Sequence, residues 1–166
     1  MTLDEEMKIE GYEPNTDCYR ATIIVGNGTK IHSSVKIWDF TTICDDVVIE
    51  KNVVIGGRCF IGKGTIIREG THIQDGVFLP NESKIGKNVF IGPNATFTDD
   101  RRPKAGNAGY MAEPPIVEDG ASIGAGAVVL PGIIIGCGAM VGAGAVITKN
   151  VNQETVIIGN PGRILS

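Results

Sequence analysis

Counted in eighteens, the sequence lines up a small set of polar residues. Positions 39/40, 57/58, 75/76 and 93/94 carry Asp39 with Phe40, Arg58, Asp75 and Asn94. A carboxylate can accept a proton, a carboxamide can orient a polar reactant and a guanidinium can hold an anion. Such groups gathered on one edge make a candidate site. Turns favour Asp and Asn in any case, so solvated corner residues are the competing account of each one. The usual general base is scarce: His32 and His72 are the only histidines and stand forty residues apart, which is not a multiple of eighteen. They cannot share an edge, and a surface or structural role is expected for both.

The count in eighteens follows from a shorter repeat. From Tyr19, every sixth residue is aliphatic: Val25, Ile31, Ile37 and onward to Ile85 and Ile91. Four places after each comes a small or β-branched residue, as in Ile23, Val35, Thr41, Val47 and Cys59. Turn formers such as Gly26-Asn27-Gly28 and Gly62-Lys63-Gly64 lie between them. Neither a helix of 3.6 residues per turn nor a long strand repeats at about six, whereas short strands joined by corners do. Three hexads close one triangular coil. The pattern [Ile/Leu/Val]-Gly-x-x-[Ser/Thr/Ala/Val], seen at Ile61-Gly62, Ile91-Gly92 and Ile123-Gly124, marks a left-handed parallel β-helix, an exception to the right-handed crossover rule. The fold class expected is therefore all-β, a hexapeptide-repeat solenoid.

The register breaks after Thr96 and resumes at Val117. The segment 97–116, rich in charge, Pro and Gly, is read as an inserted loop, and a long loop in a regular solenoid is more often functional than idle. The boundaries expected are a lead-in at 1–18, the β-helix at 19–152 with the loop at 97–116, and a tail at 153–166.

Composition excludes several classes. Of 166 residues, 42% are hydrophobic but only 5% are aromatic, and 23 are Gly, which suits a thin aliphatic core with many corners. A net charge of −4 argues against a nucleic-acid partner. No apolar run is long enough to span a bilayer and the acidic start lacks a signal-peptide pattern, so a cytoplasmic protein is expected, with no membrane partner. Cys18, Cys44, Cys59 and Cys137 show no ligand spacing and are read as small hydrophobes or surface thiols.

The C-terminal third is more specific. Gly124–Asn150 contains Gly-Ala-Gly-Ala-Val-Val-Leu-Pro-Gly and Val-Gly-Ala-Gly-Ala-Val-Ile-Thr-Lys-Asn, and Gly159-Asn160-Pro161-Gly162-Arg163 follows. This stretch resembles the end of the hexapeptide-repeat acyltransferases, where it borders the acetyl-CoA site. The resemblance implies acetyl-CoA as cosubstrate, held by Ala125, Ala143, Gly144, Lys149, Asn160, Pro161 and Arg163. Small corners would let the pantetheine arm lie on the coil edge, and the two cations would meet phosphates. Tight corners and solvated cations are the plain alternative.

A second resemblance covers most of the chain from about residue 25. Ile37-Trp38-Asp39-Phe40, Ile73-Gln74-Asp75 and the run from Gly92 to Lys104 are similar to nucleotide-sugar N-acetyltransferases. The nearest types act on the 3-amine of UDP-linked diamino-glucuronic acids or dTDP-linked 3-amino-deoxyhexoses. The family's Trp-His-Phe, Gln-Asn and Phe-Thr-Asn-Asp elements differ here at Asp39, Asp75 and Asp99. These departures bear on the sugar more than on the reaction. The resemblance implies a homotrimer with sites between subunits. Taken with the shared edge, it leads us to expect Asp75 and Asn94 as catalytic residues and Asp39, Arg58, Asp100 and Arg101 as substrate-binding residues. Two histidines cannot supply the three-histidine zinc site of a γ-type carbonic anhydrase, and no metal is expected. An O-acetyltransferase acting on a sugar or small alcohol, or a noncatalytic β-helix scaffold subunit, are the alternatives. The first needs a stronger base than the sequence offers.

Overall fold

The computed structural model describes residues 23–165. The lead-in at 1–18, Cys18 and the first hexad position at Tyr19 lie outside the described residues. From there the chain is a left-handed parallel β-helix whose strands are almost all two residues long. They stack into three sheets. The first runs from Ile24–Val25 to Val146–Ile147 and has seven strands. The second runs from Lys30–Ile31 to Ile134–Ile135 and has six. The third begins at Lys36–Ile37 and ends in Val156–Ile158 and Arg163–Ile164, with eight.

The coil period is set by parallel pairing of residues eighteen apart, Ile24 with Thr42 and Val25 with Ile43. In each pair the second residue points inward. Ile43, Ile55, Ile61, Leu79 and Ile91 have no exposed surface, and each such burial contributes roughly 1.5–3 kcal/mol. The inward threonines are satisfied coil to coil. Thr41 Oγ1 donates to the Gly56 carbonyl at 2.8 Å and accepts the Cys59 N–H at 3.2 Å, and Thr71 does the same with Gly86 and Val89. Burial holds the Cys59 thiol above its ordinary range, which fits the reading of that cysteine as core.

Corners carry the strain. At most of them the second residue sits in the left-handed region, from Gly28 at φ 70° to Gly144 at φ 66°, a conformation that costs an ordinary L-residue about 1–2 kcal/mol. Close approach matters as well. A side chain on Gly124 would strike the Ala143 backbone nitrogen in the next coil.

Two boundaries differ from the sequence expectation. Thr96–Phe97 and Ile116–Val117 are strands, so the excursion is 98–115; Phe97 fills the inward hexad slot and is fully buried. The parallel ladder also continues past 152, since Val156–Ile158 pairs with Met140–Val141. The chain then turns through Gly159 and a cis Asn160–Pro161 bond into Arg163–Ile164, which runs antiparallel. This hairpin folds over the end of the core. Gly162 approaches Ile157 and Ile147 so closely that a side chain there would meet their methyls at 2.8 and 3.0 Å.

Candidate functional site

The edge between the third and first sheets is an unbroken backbone ladder. Arg58 N–H donates to the Asp39 carbonyl at 3.0 Å, Gly76 to Gly57 at 2.9 Å and Asn94 to Asp75 at 2.8 Å. The ladder crosses the insertion without a fault, because Gly126 donates to Pro93 and Gly144 to Ala125, both at 2.8 Å. The predicted polar column and the predicted small-residue column are therefore one column. Asp39, Arg58, Asp75 and Asn94 occupy its first coils, and Ala125, Ala143 and Gly144 its last. Nothing lies within 4 Å of where a Cβ on Gly126 or Gly144 would stand, so that part of the edge is open.

Asp75 has a structural task. Its Oδ1 accepts the Gly57 N–H at 2.6 Å. The same bond recurs at other edges, from Asn27 to Asp45 (2.8 Å), Lys63 to Asn81 (2.9 Å) and Lys87 to Asp119 (2.7 Å). In each case a glycine precedes the donor, Gly56, Gly26, Gly62 or Gly86, and a Cβ on it would collide with the Asx residue above. Glycine followed nineteen places later by Asp or Asn, as at Gly26, Gly56 and Gly62, is thus a coil-to-coil lock that the insertion stretches only for Gly86 and Asp119, and this signal was available in the sequence. Asn94 is placed similarly: its Oδ1 lies over Gly76 as Asp46 lies over Gly28. These bonds leave Oδ2 of Asp75 as a free acceptor among the described residues.

Around the first three coils the edge is hollowed into a groove of about 440 Å³, lined by Trp38, Asp39, Phe40, Arg58, Gln74 and Asp75 among others. Three predicted site residues face it. Trp38, Phe40 and Gln74 belong to the resembling motifs, yet sequence reasoning gave them no role. A larger hollow of about 540 Å³ on the second sheet, by Lys84, Ile116 and Cys137, contains no predicted site residue.

The loop is not beside this groove. It leaves the first sheet at Phe97 and enters the second at Ile116, so it projects from the edge between those sheets, with the whole first sheet between it and Asp75. Asn94 precedes the loop by only a few residues in sequence, yet the loop leaves the solenoid from a different edge. Positions 99/100 continue the series 45/46, 63/64 and 81/82. Within one chain Asp100 and Arg101 do not join Asp75 and Asn94. Arg101 is occupied besides: its guanidinium donates to Glu113 at 2.6–3.1 Å and to the Pro131 carbonyl at 3.2 Å, closing the neck of the loop. That bond holds the Glu113 carboxyl below its ordinary range. Asp100 Oδ1 accepts the Arg102 N–H in a local turn at 2.8 Å.

Tyr110 completes the loop. Its hydroxyl donates to Asp99 Oδ2 at 2.7 Å, and with the nearby carboxylates this pushes its pKa up to about 12. The raised value means that the bond stabilises the loop fully below the ordinary tyrosine pKa and is lost as pH rises through about 12. Ultraviolet titration of tyrosinate should find one phenol ionising near there; Asp99→Asn should return it toward about 10. An unshifted Tyr110 in the parent protein would contradict this loop structure.

The remaining cofactor candidates divide. Asn160 and Pro161 are exposed in the hairpin, which joins the last coil of the column edge through Val146 N–H to the Gly159 carbonyl at 3.0 Å. Arg163 is exposed and donates to the Gly162 carbonyl at 3.0 Å. Lys149 follows the first-sheet strand Val146–Ile147 and lies on the loop's edge instead. His32 bonds Ser34 at 2.9 Å near a second-to-third-sheet corner, and His72 stands outward on the third sheet, paired in register with Val54 and Phe90. Neither is a corner residue of the column.

Comparison with known proteins agrees with this architecture. The bacterial transferase hexapeptide family (six repeats) matches residues 22–63 and 114–149. A Schizosaccharomyces pombe protein named as a putative acetyltransferase is 42% identical over 83 residues, 48% of this chain and 40% of that one. The 2,3,4,5-tetrahydropyridine-2,6-dicarboxylate N-acetyltransferase of Staphylococcus aureus is 35% identical over 80 residues, 48% of this chain and 31% of that one. The chain thus matches less than half the length of these relatives. A hexapeptide transferase family protein from Anaplasma phagocytophilum has the same fold, with a TM-score of 0.57 at 22% identity over 87% of this chain and 83% of the other.

Proposed function

We propose that this chain, which carries the hexapeptide repeat of the bacterial transferases, moves an acetyl group from acetyl-CoA to the amino group of a nucleotide-linked amino sugar. The observation that carries the reading is the single edge. A polar column ending at Asn94 runs without interruption into the open corners of Ala125, Ala143 and Gly144. A thioester laid along the small corners and an amine held by the polar ones would meet end to end. Asn160, Pro161 and Arg163 at the hairpin would border the distal part of the cosubstrate.

The chemistry needs an uncharged amine aligned with the acyl carbon and a destination for its proton. The nitrogen forms the new C–N bond, the C–S bond breaks and the electron pair leaves with sulfur. The nitrogen's proton passes to Asp75 Oδ2, and Asn94 orients the amine through its carboxamide. Asp39 and Arg58 bind the rest of the acceptor. In a cyclic homotrimer the loop edge of one copy would face the column edge of the next, so that Asp100, Arg101 and Lys149 come to each site from a neighbour. The separation of loop and column within one chain favours that arrangement. A cytoplasmic setting suits these substrates.

Coenzyme A binding and free-thiol release, measured with UDP- and dTDP-linked 3-amino and 4-amino sugars beside their hydroxyl analogues, test the proposal. Release that depends on the amine is expected. Release with the hydroxyl sugars alone would make it an O-acetyltransferase, and absence of both coenzyme binding and release would make it a scaffold.

A further inference from the structure

At most corners the second position is held in the left-handed region, and there the sequence almost always supplies Gly, Asn, Asp or Glu. Phe40 at φ 63° and Arg58 at φ 56° are the departures among the described residues of positive φ. They stand one coil apart on the same edge and line the same groove, together with Trp38. Burial does not compensate them, since Trp38 is 55% and Phe40 67% exposed. Among the described residues Arg58 has no ion pair and its side chain no hydrogen bond. Large side chains placed where the backbone disfavours them, and left open to solvent, point to a ligand outside the fold.

We propose that the Trp38–Phe40–Arg58 groove binds a nucleoside diphosphate. The indole and phenyl faces stack on the base, as flat aromatic platforms do with any nucleobase. Arg58 pairs with the diphosphate through its planar fork. Asp39 accepts hydrogen bonds from ribose hydroxyls or base N–H groups. The groove's volume of about 440 Å³ suits a ligand of that size.

This inference rests on the proposed transfer to a nucleotide-linked sugar and assigns the nucleotide to a place. Coenzyme A also carries an adenine and a diphosphate. The corner at Ala143 lies four coils beyond that at Gly57 along the ladder, roughly 19 Å at about 4.8 Å per coil. The groove therefore belongs to the acceptor's nucleotide.

Trp38 is the single tryptophan of the chain, so its emission reports on this groove alone. Titrating the parent protein with UDP, dTDP, GDP and coenzyme A should give saturable quenching by at least one nucleoside diphosphate and none by coenzyme A. Phe40→Gly and Arg58→Gly should each weaken that nucleotide by roughly tenfold or more, with unchanged coenzyme A binding by calorimetry. Their melting temperatures should hold or rise, because glycine suits the left-handed corner. Absence of nucleotide quenching, undiminished binding in both variants, or quenching by coenzyme A would each overturn the assignment. So would a lowered melting temperature with loss of oligomer, which would make Phe40 and Arg58 contacts between subunits and not contacts to a nucleotide. Amine-dependent thiol release without nucleotide binding would leave the acetyl transfer standing and remove the groove. Nucleotide binding without coenzyme A binding would keep the groove and remove the transfer.

Discussion

Asp75→Asn is expected to lower acetyl transfer by about 10²–10⁴-fold, the range for loss of a positioned general base, while the melting temperature stays unchanged. The structure separates the two tasks of this side chain. Oδ1 locks the corner below through the Gly57 N–H at 2.6 Å, and Asn81 performs the same lock on Lys63 at 2.9 Å with a carboxamide oxygen. An amide at position 75 therefore preserves the lock and removes only the capacity to take a proton. Asp75→Ala removes both, and the exposed Gly57 N–H then loses a bond worth about 0.5–1.5 kcal/mol. Thiol-release kinetics beside thermal melts distinguish the variants. Full activity in Asp75→Asn would reduce Asp75 to a corner lock and move the proton elsewhere.

This double role explains what was legible in the sequence and what was not. The inward hexads could be read because burial in a two-residue strand depends on side-chain type at a fixed spacing, and Ile43, Ile61 and Ile91 follow it to complete burial. The lock could not be read from Asp75 alone. It is a relation between Gly56 and Asp75 in neighbouring coils, and turn propensity gives Asp the same corner with or without chemistry.

The loop was legible, but the edge from which it leaves was not read. An insertion is visible as a break in period, whereas its direction depends on which sheet it leaves; counting 99/100 from 81/82 would have supplied that. Resuming the count at Val117 would likewise have placed Ala125 and Ala143 in line with Pro93, on the same corner as Asn94. The clasp of Arg101 on Glu113 was not legible. It joins two residues of an aperiodic segment whose approach follows from backbone closure, as in the Glu113 N–H to Asp99 carbonyl bond at 2.8 Å.

Phe97→Ala should cost about 3–5 kcal/mol, the range for truncating a buried ring to a methyl. Phe97 heads the fully buried side chains in size and has none of its surface exposed. Its equivalent one coil earlier is Leu79, with which it shares an inward position. From Ala95 onward the core also includes the small residues Ala121, Ala127, Ala139 and Ala145 among its Val and Ile side chains. The ring supplies volume where the chain departs into the loop, and an alanine would leave a void that short strands fixed above and below cannot close. Thr98, next in sequence, is tied to Val129 by both its amide and its hydroxyl at 3.0 Å, so the void would open beside the loop's first anchor. Phe97→Leu, which restores the residue type of the preceding coil, should cost less than about 1.5 kcal/mol. Urea unfolding of the two variants measures the difference. Equal stability of Phe97→Ala and the parent protein would mean that the ring is not the keystone of that coil, and the loop would then need another explanation for how it leaves the solenoid without breaking the ladder.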